Sequence, residues 1–371
     1  MMYYKRSRRS IARRRMAIIL FIVVAVAAAA AVYFLFFSDY RINKPALQNL
    51  GLKIPNNVIS SDNGLLYKDQ SDLTLKDFKG ETVWTLPSDS ETTNAAASDA
   101  VISTYGAHTA QFFTYDKKQL FTTTLDKEIT SVRCGTNTVG ILATSQDADG
   151  KRHSFIYMYD LTGKNVGQID LSDKQIIDFG IYGGSDMYWT LSLDTSGVVP
   201  ASYVVTFKQD GTITNSIEVN TQIVDKVNIT ADAIYASGTN SLIDYSYFGE
   251  KKNDTLIYGW QPYDVSVDGA NINMLYRTRT SSDESGAINS VKLVDSSLAE
   301  IMIYFPREIF AAMVNQKGVY AFANDTIYVY NTSGLLTRTV KLDSPITGAK
   351  KINNQYAVVW DASSSYIFQL S

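Results

Sequence analysis

Tyr159-Asp160-Leu161-Thr162-Gly163 and Tyr330-Asn331-Thr332-Ser333-Gly334 are two copies of one phrase, and that phrase decides the fold. A strand ends on an aromatic residue, an Asp or Asn follows, and Gly comes three positions later. The Asp or Asn side chain accepts hydrogen bonds from the next backbone amides, and Gly supplies the positive φ that closes a tight turn. The phrase therefore reads as a hairpin. It returns as Leu75-Lys76-Asp77-Phe78-Lys79-Gly80 and Phe207-Lys208-Gln209-Asp210-Gly211. Looser copies stand at Tyr115-Asp116-Lys117-Lys118, Phe248-Gly249-Glu250-Lys251 and Val294-Asp295-Ser296-Ser297. The seven copies fall about 35 to 50 residues apart.

Between them, apolar and aromatic residues alternate with polar ones over four to eight positions, as in Tyr203-Val204-Val205-Thr206-Phe207, the pattern of half-buried strands. Tyrosine, of which there are 24, suits such pleated surfaces. The one helical candidate beyond the N-terminus is a short turn near Ala46 to Leu50. Four short strands at a period of about 40 residues define an all-β fold, a β-propeller. An eighth unit ends the chain with three strands: Ala349 to Ile352, Tyr356 to Trp360 and Tyr366 to Leu370. A ring must close, and residues around Leu47 to Ile59 are available to complete the last sheet. Eight blades are expected, or seven if one loose copy is not an independent unit. A pair of β-sandwiches is the alternative, but it would not require the regular spacing.

The N-terminal segment has a different character. Lys5, Arg6, Arg8, Arg9, Arg13, Arg14 and Arg15 precede any acid, and the 22 residues from Met16 to Phe37 carry no charge. At about 1.5 Å per residue a helix of that length reaches roughly 33 Å, enough for a hydrocarbon core of about 30 Å. The basic cluster predicts an inside tail at 1–15, a transmembrane helix at 16–37 and an outside remainder. Residues 38–57 then form a juxtamembrane linker that includes the candidate closing strand, and 58–371 the propeller. A cleaved signal peptide is the competing reading, but apolar residues continue through Phe37, past the small-residue run Ala27 to Ala31.

The chain has 34 basic and 37 acidic residues; setting aside the seven basic ones before the helix leaves −10 on the rest. That sign argues against nucleic acid and against docking on anionic lipid. A single cysteine, Cys134, excludes an internal disulfide and points to a bacterial envelope protein, with the thiol read as a small apolar group in a strand. Four sequons, at Asn228, Asn253, Asn324 and Asn331, read as chance strings in such a chain.

The basic tail, single helix and repeated hairpins together resemble an uncharacterised family of single-pass, membrane-anchored propeller proteins of Gram-positive bacteria. The hairpins also resemble those of quinoprotein-like and outer-membrane-assembly-type propellers. That resemblance implies architecture and location; the family has no assigned activity.

Residues suited to catalysis are few. His108 is read in a strand and His153 in a polar turn; two distant histidines and one cysteine do not make a zinc site. No Gly-x-Ser-x-Gly string, phosphate-binding loop or dinucleotide fingerprint occurs. Asp147-Ala148-Asp149-Gly150 lacks the third acid and distal Glu of a calcium loop and reads as a hairpin turn. Asp178, Asp225 and Asp264 each lie near the start of an innermost strand, where carboxylates can reach an axial channel. Trp84, Trp189, Trp260 and Trp360 are expected between blades rather than as sugar platforms. No catalytic, cofactor-binding or metal-binding residue is assigned, and no cofactor is expected. The expected function is a non-catalytic binding or scaffold module in the envelope, facing an envelope protein or wall polymer. A carbohydrate-active enzyme using channel carboxylates is the alternative, and a sensor acting through a membrane partner is a third reading. Close packing of the helix through its alanine run would serve that sensor.

Overall fold

Each of the seven hairpin phrases closes the outer two strands of one four-stranded sheet. The computed structural model describes residues 23–26, 28, 47–51, 58–69, 72–87, 91–172, 174–182, 184–279 and 287–370. They contain eight antiparallel sheets of four strands, an eight-bladed propeller. Blades 1 to 7 span 58–87, 94–124, 128–170, 175–219, 224–256, 260–309 and 311–341, and blade 8 spans 348–369. Within a blade the strands are lettered a to d in pairing order, and in blades 1 to 7 that is also chain order. Strand a is innermost: Glu128–Cys134 touches its counterparts Asn94–Ala97 and Gln175–Tyr182 in the adjacent blades. This up-and-down path places the ab and cd turns on one face of the disc and the bc turns and da links on the other.

Five of the seven cd turns share one side-chain cap. In blade 3, Asp160 Oδ1 accepts from Thr162 N at 2.9 Å and Lys164 N at 3.0 Å. Asp77, Asp295 and Asn331 each accept the same two amides, and Ser246 Oγ does so in blade 5. The copy at Phe248 is therefore regular, with Ser246 in place of the acid. The fourth residue of the turn, counted from Asp77, Thr114, Asp160, Lys208, Ser246, Asp295 or Asn331, has positive φ in all seven, and it is Gly80, Gly163, Gly211, Gly249 or Gly334 in five of them. Lys117 (φ 68°) and Leu298 (φ 63°) hold it in the other two.

Gln48–Asn49 supplies the strand that blade 8 lacks, with Gln48 opposite Ile367 and Asn49 opposite Tyr366. The expected helical turn near Ala46 to Leu50 is corrected to this strand, because the open edge of Ser365–Gln369 offers partners for backbone groups that a lone turn would leave to water. Leu50 N donates to Ser365 O at 2.9 Å, and the Leu50 side chain is fully buried. The inner end of the seam is tied as well. Lys350 Nζ donates to Val58 O at 2.6 Å, and Asn353 Nδ2 to Ser61 O at 3.0 Å. The Phe78 and Tyr356 rings stack at 3.9 Å across it.

The core lies between blades. Eight apolar clusters occupy the eight blade-to-blade interfaces, including one of Leu50, Val58, Leu65, Ile352, Val358 and Ile367 at the seam. Alternation along each strand produces this arrangement, since residues at i and i+2 line one sheet face and meet the next blade. Of the predicted span 16–37 only 23–26 and 28 are described, and they are helical; the rest lies outside the described residues. Among the described residues no helix is long and apolar enough to cross a membrane.

Candidate functional site

The innermost strands carry charged side chains that pair from blade to blade. Four of them are bulged at equivalent places, between Ile129 and Ser131, Ile176 and Asp178, Val224 and Lys226, and Pro262 and Asp264. A bulge adds a residue on one side and re-aims the side chains beside it. Asp178 and Asp264 directly follow a bulge and Asp225 occupies one, so all three acids singled out in the sequence stand at the inner rim.

Each of them is met by a cation from another blade. Asp178 accepts from Lys226 Nζ of blade 5 at 2.7 Å and from Arg133 Nη2 of blade 3 at 3.2 Å. Arg133 Nε also holds Phe179 O at 3.1 Å. Asp225 pairs with Arg279 of blade 6. Asp264 lies 3.2 Å from Lys351 Nζ of blade 8 and accepts from Val314 N of blade 7 at 2.8 Å. Lys351 completes its donors with Val265 O at 2.8 Å and Val314 O at 2.6 Å. Burial raises the Asp264 carboxyl above the usual range, against the pull of Lys351, and burial lowers the Lys351 ammonium. Beside them, Asn315 Nδ2 donates to Asn354 O and Leu370 O, both at 3.1 Å, and Ser266 Oγ to Asn354 Oδ1 at 2.9 Å. These bonds join blades 6, 7 and 8.

Glycoside hydrolysis needs two carboxyl groups facing one space, roughly 5–10 Å apart, one held as the acid. Here the three acids belong to blades 4, 5 and 6, and cations and backbone amides already engage them. The arrangement braces the ring. Among the described residues, no group of three or more His, Cys, Asp or Glu side chains is placed to hold a metal ion.

The remaining sequence candidates take structural positions. His108 sits in the bc turn of blade 2, not in a strand, because Gly106 N bonds Thr109 O and turns the chain at once; its Nδ1 lies 3.2 Å from Lys127 O. His153 is in strand Arg152–Asp160, opposite Ser145, rather than in a turn, and its Nε2 lies 3.2 Å from Asp147 Oδ2. Asp147 Oδ1 accepts from Asp149 N and Lys151 N, the same hairpin cap as in the cd turns, so Asp147-Ala148-Asp149-Gly150 closes strands b and c. Cys134 ends strand a of blade 3, and burial pushes its thiol up to about 12. Trp84 and Trp189 are buried between blades, with Trp84 Nε1 donating to Tyr115 O at 2.6 Å. Trp260 and Trp360 pack at the margins of two other interfaces.

Open space lies elsewhere. On the bc/da face two grooves meet over blade 3 and share Thr144 and Arg152. One, of about 700 Å³, runs between blades 2 and 3 past His108, Asp126, Lys127 and Glu128. The other, of about 580 Å³, lies between blades 3 and 4 and includes Ser131, Ser154, Lys174 and Ile176. Lys127 Nζ stands 5.0 Å from the Phe155 ring centre, and Lys174 Nζ 3.5 Å from that of Tyr203. Apart from His108, the sequence did not mark these residues, because they come from separate turns and strand ends that only the ring brings together.

Solved structures share this architecture. BamB from Moraxella catarrhalis matches with a TM-score of 0.52 at 10% identity, over 88% of this chain and 100% of that chain. The WD40 domain of SCAP from fission yeast matches with a TM-score of 0.57 at 9% identity, over 88% and 98%. At such identity the likeness shows the fold alone: the chain is a β-propeller. No protein-family model and no curated protein matches it.

Proposed function

We propose that the protein is a non-catalytic binding or scaffold module, held by its N-terminal helix at the outer face of a bacterial cytoplasmic membrane and working through the bc/da face of its propeller. The observation that carries this reading is the contrast between channel and face. The inner acids are spent on bracing blades against one another, whereas the bc/da face keeps two confluent grooves with exposed polar side chains. Binding sites on such scaffolds reside in the loops and strand ends. The membrane part rests on the sequence: seven basic residues, then 22 uncharged ones. It also agrees with how the chain joins the ring. Gln48 enters strand d of blade 8 from the cd side, and the nine residues 38–46 span at most about 30 Å. In this reading the ab/cd face lies nearer the membrane and the grooves face away from it.

The test is fractionation of the full chain in bacterial cells. The expected result is a carbonate-resistant membrane protein whose propeller is cleaved by protease added outside. Recovery in the soluble fraction, or protection of the propeller in intact spheroplasts, would overturn the placement. Turnover of wall glycans by the purified chain would overturn the non-catalytic part.

A further inference from the structure

The groove between blades 3 and 4 is lined by basic, hydroxyl-bearing and amide side chains over apolar ones. Beyond the helix the chain carries a net charge of −10, yet among the described residues this groove is lined by two cations, Arg152 and Lys174, and by no carboxylate. Arg152 stands on the wall between the two grooves. Among the described residues its guanidinium makes one side-chain hydrogen bond, from Nη2 to Thr144 Oγ1 at 3.4 Å, and no ion pair. Lys174 comes from the da link on the opposite wall. Its ammonium rests over Tyr203, and it too has no ion pair among the described residues. Asp194, the acid that feels Lys174, is turned to Ser196 N at 2.9 Å and Ser196 Oγ at 2.6 Å. Elsewhere on the inner strands, cations of the same kinds are consumed by Asp178, Asp225 and Asp264.

The other lining groups suit a polyhydroxylated partner. Thr144 Oγ1 accepts from Arg152, and Ser154 and Gln175 add further polar groups. Ser131 is already committed, since its Oγ accepts from Arg133 Nη1 at 3.0 Å and its hydroxyl bonds the Tyr105 phenol. Thr130 and Ser172 are likewise committed, to Leu142 O and Asp170. Leu142 and Ile176 give the groove an apolar floor for a ring face. A volume of about 580 Å³ lies within the usual range for small-ligand sites, about 300–1,000 Å³.

We propose that this groove binds an anionic saccharide unit, its carboxylate or phosphate bridged between Arg152 and Lys174 and its hydroxyls met by Thr144 and Ser154. Arg presents a planar fork that engages either oxyanion through two parallel hydrogen bonds, and Lys adds a point charge from the far wall. The proposal deepens the binding-module reading by naming the ligand class of its distal face. It does not depend on the membrane placement, because the measurement is made on purified full-length chain.

Titration calorimetry in detergent would use galacturonate trimer, glucose 6-phosphate, inorganic phosphate and neutral chitotriose. At least one of the two anionic sugars binds, more tightly than inorganic phosphate, and chitotriose does not. Arg152→Gln or Lys174→Gln each weakens that binding about tenfold, and the double variant about a hundredfold, the usual loss for hydrogen bonds to a charged group. Lys151→Gln, in the neighbouring bc turn, leaves it unchanged. An unaltered melting temperature of the double variant separates lost contact from lost fold. Binding of neither anionic sugar would overturn the proposal, as would equal binding of chitotriose or of inorganic phosphate, or affinity insensitive to both substitutions. A failure here with the chain still in the membrane would leave the module reading intact and move its site elsewhere on the face.

Discussion

Replacing Lys117 by Gly should stabilise the protein, and replacing Leu298 by Gly should destabilise it, although both residues occupy the same position of the same turn. Each adopts the left-handed conformation, at φ 68° and 63°, where five sister hairpins have Gly. That conformation costs a residue with a Cβ roughly 1–2 kcal/mol. Gly relieves this but loses about 0.5–1 kcal/mol of extra backbone entropy on folding. Lys117 is exposed, and its backbone N–H keeps the bond to Thr114 O in either variant, so the net effect is a gain of about 0.5–1 kcal/mol. Leu298 is 9% exposed and packs in the cluster between blades 5 and 6 with Val294 and Tyr235. Removing a buried Leu side chain costs about 2–5 kcal/mol, which outweighs the same relief. Urea denaturation of the full chain, followed by tryptophan fluorescence, reads both effects. Lys117→Ala, which keeps the Cβ, should be near neutral. A destabilised Lys117→Gly, or a Leu298→Gly as stable as the parent, would refute the view that a common turn conformation underlies all seven repeats.

Other expectations follow from buried charge and burial. Asp244 is buried in blade 5 with its Oδ1 unpartnered, and burial raises its carboxyl above the ordinary value. A raised carboxyl favours the fold below its unfolded value and loses that contribution as pH rises through the folded one. Asp244→Asn should therefore raise the melting temperature at pH 7, with the gain disappearing below about pH 4 in a melting series. Lys351→Met leaves Asp264 buried without its cation and should cost about 3 kcal/mol, whereas adding Asp264→Asn should restore much of that loss in a double-mutant cycle. Cys134, its thiol pushed up to about 12, should resist Ellman's reagent at pH 8 in the folded chain and react at once in urea.

The architecture was legible because turns are local. Asp77, Asp160 and Asn331 cap backbone amides within four residues, and a sequence window sees the whole device. The three-stranded ending likewise implied that earlier residues would complete the ring. The closing strand falls within the stretch Leu47 to Ile59 named for it, but the short helical turn read near Ala46 to Leu50 does not form, since Gln48 and Asn49 are extended only through their pairing with Ile367 and Tyr366, more than 300 positions away. The candidate acids were found, but their partners were not. Nothing around Asp264 announces Lys351, 87 residues on, or the bulge that aims the carboxylate at it. Arg152 and Lys174 were invisible for the same reason: their isolation from carboxylates is a property of three-dimensional neighbours, not of adjacent letters.

Site-specific photo-crosslinking in living cells bears most directly on the central claim, that a membrane-held propeller binds through its bc/da face. A photoreactive residue at Lys151 or Gln175, beside the grooves, should yield discrete adducts recovered with the membranes, while one at Lys79 or Lys208, on the cd turns, should yield few apart from lipid. Adducts confined to the cd positions, or none from either face, would contradict it.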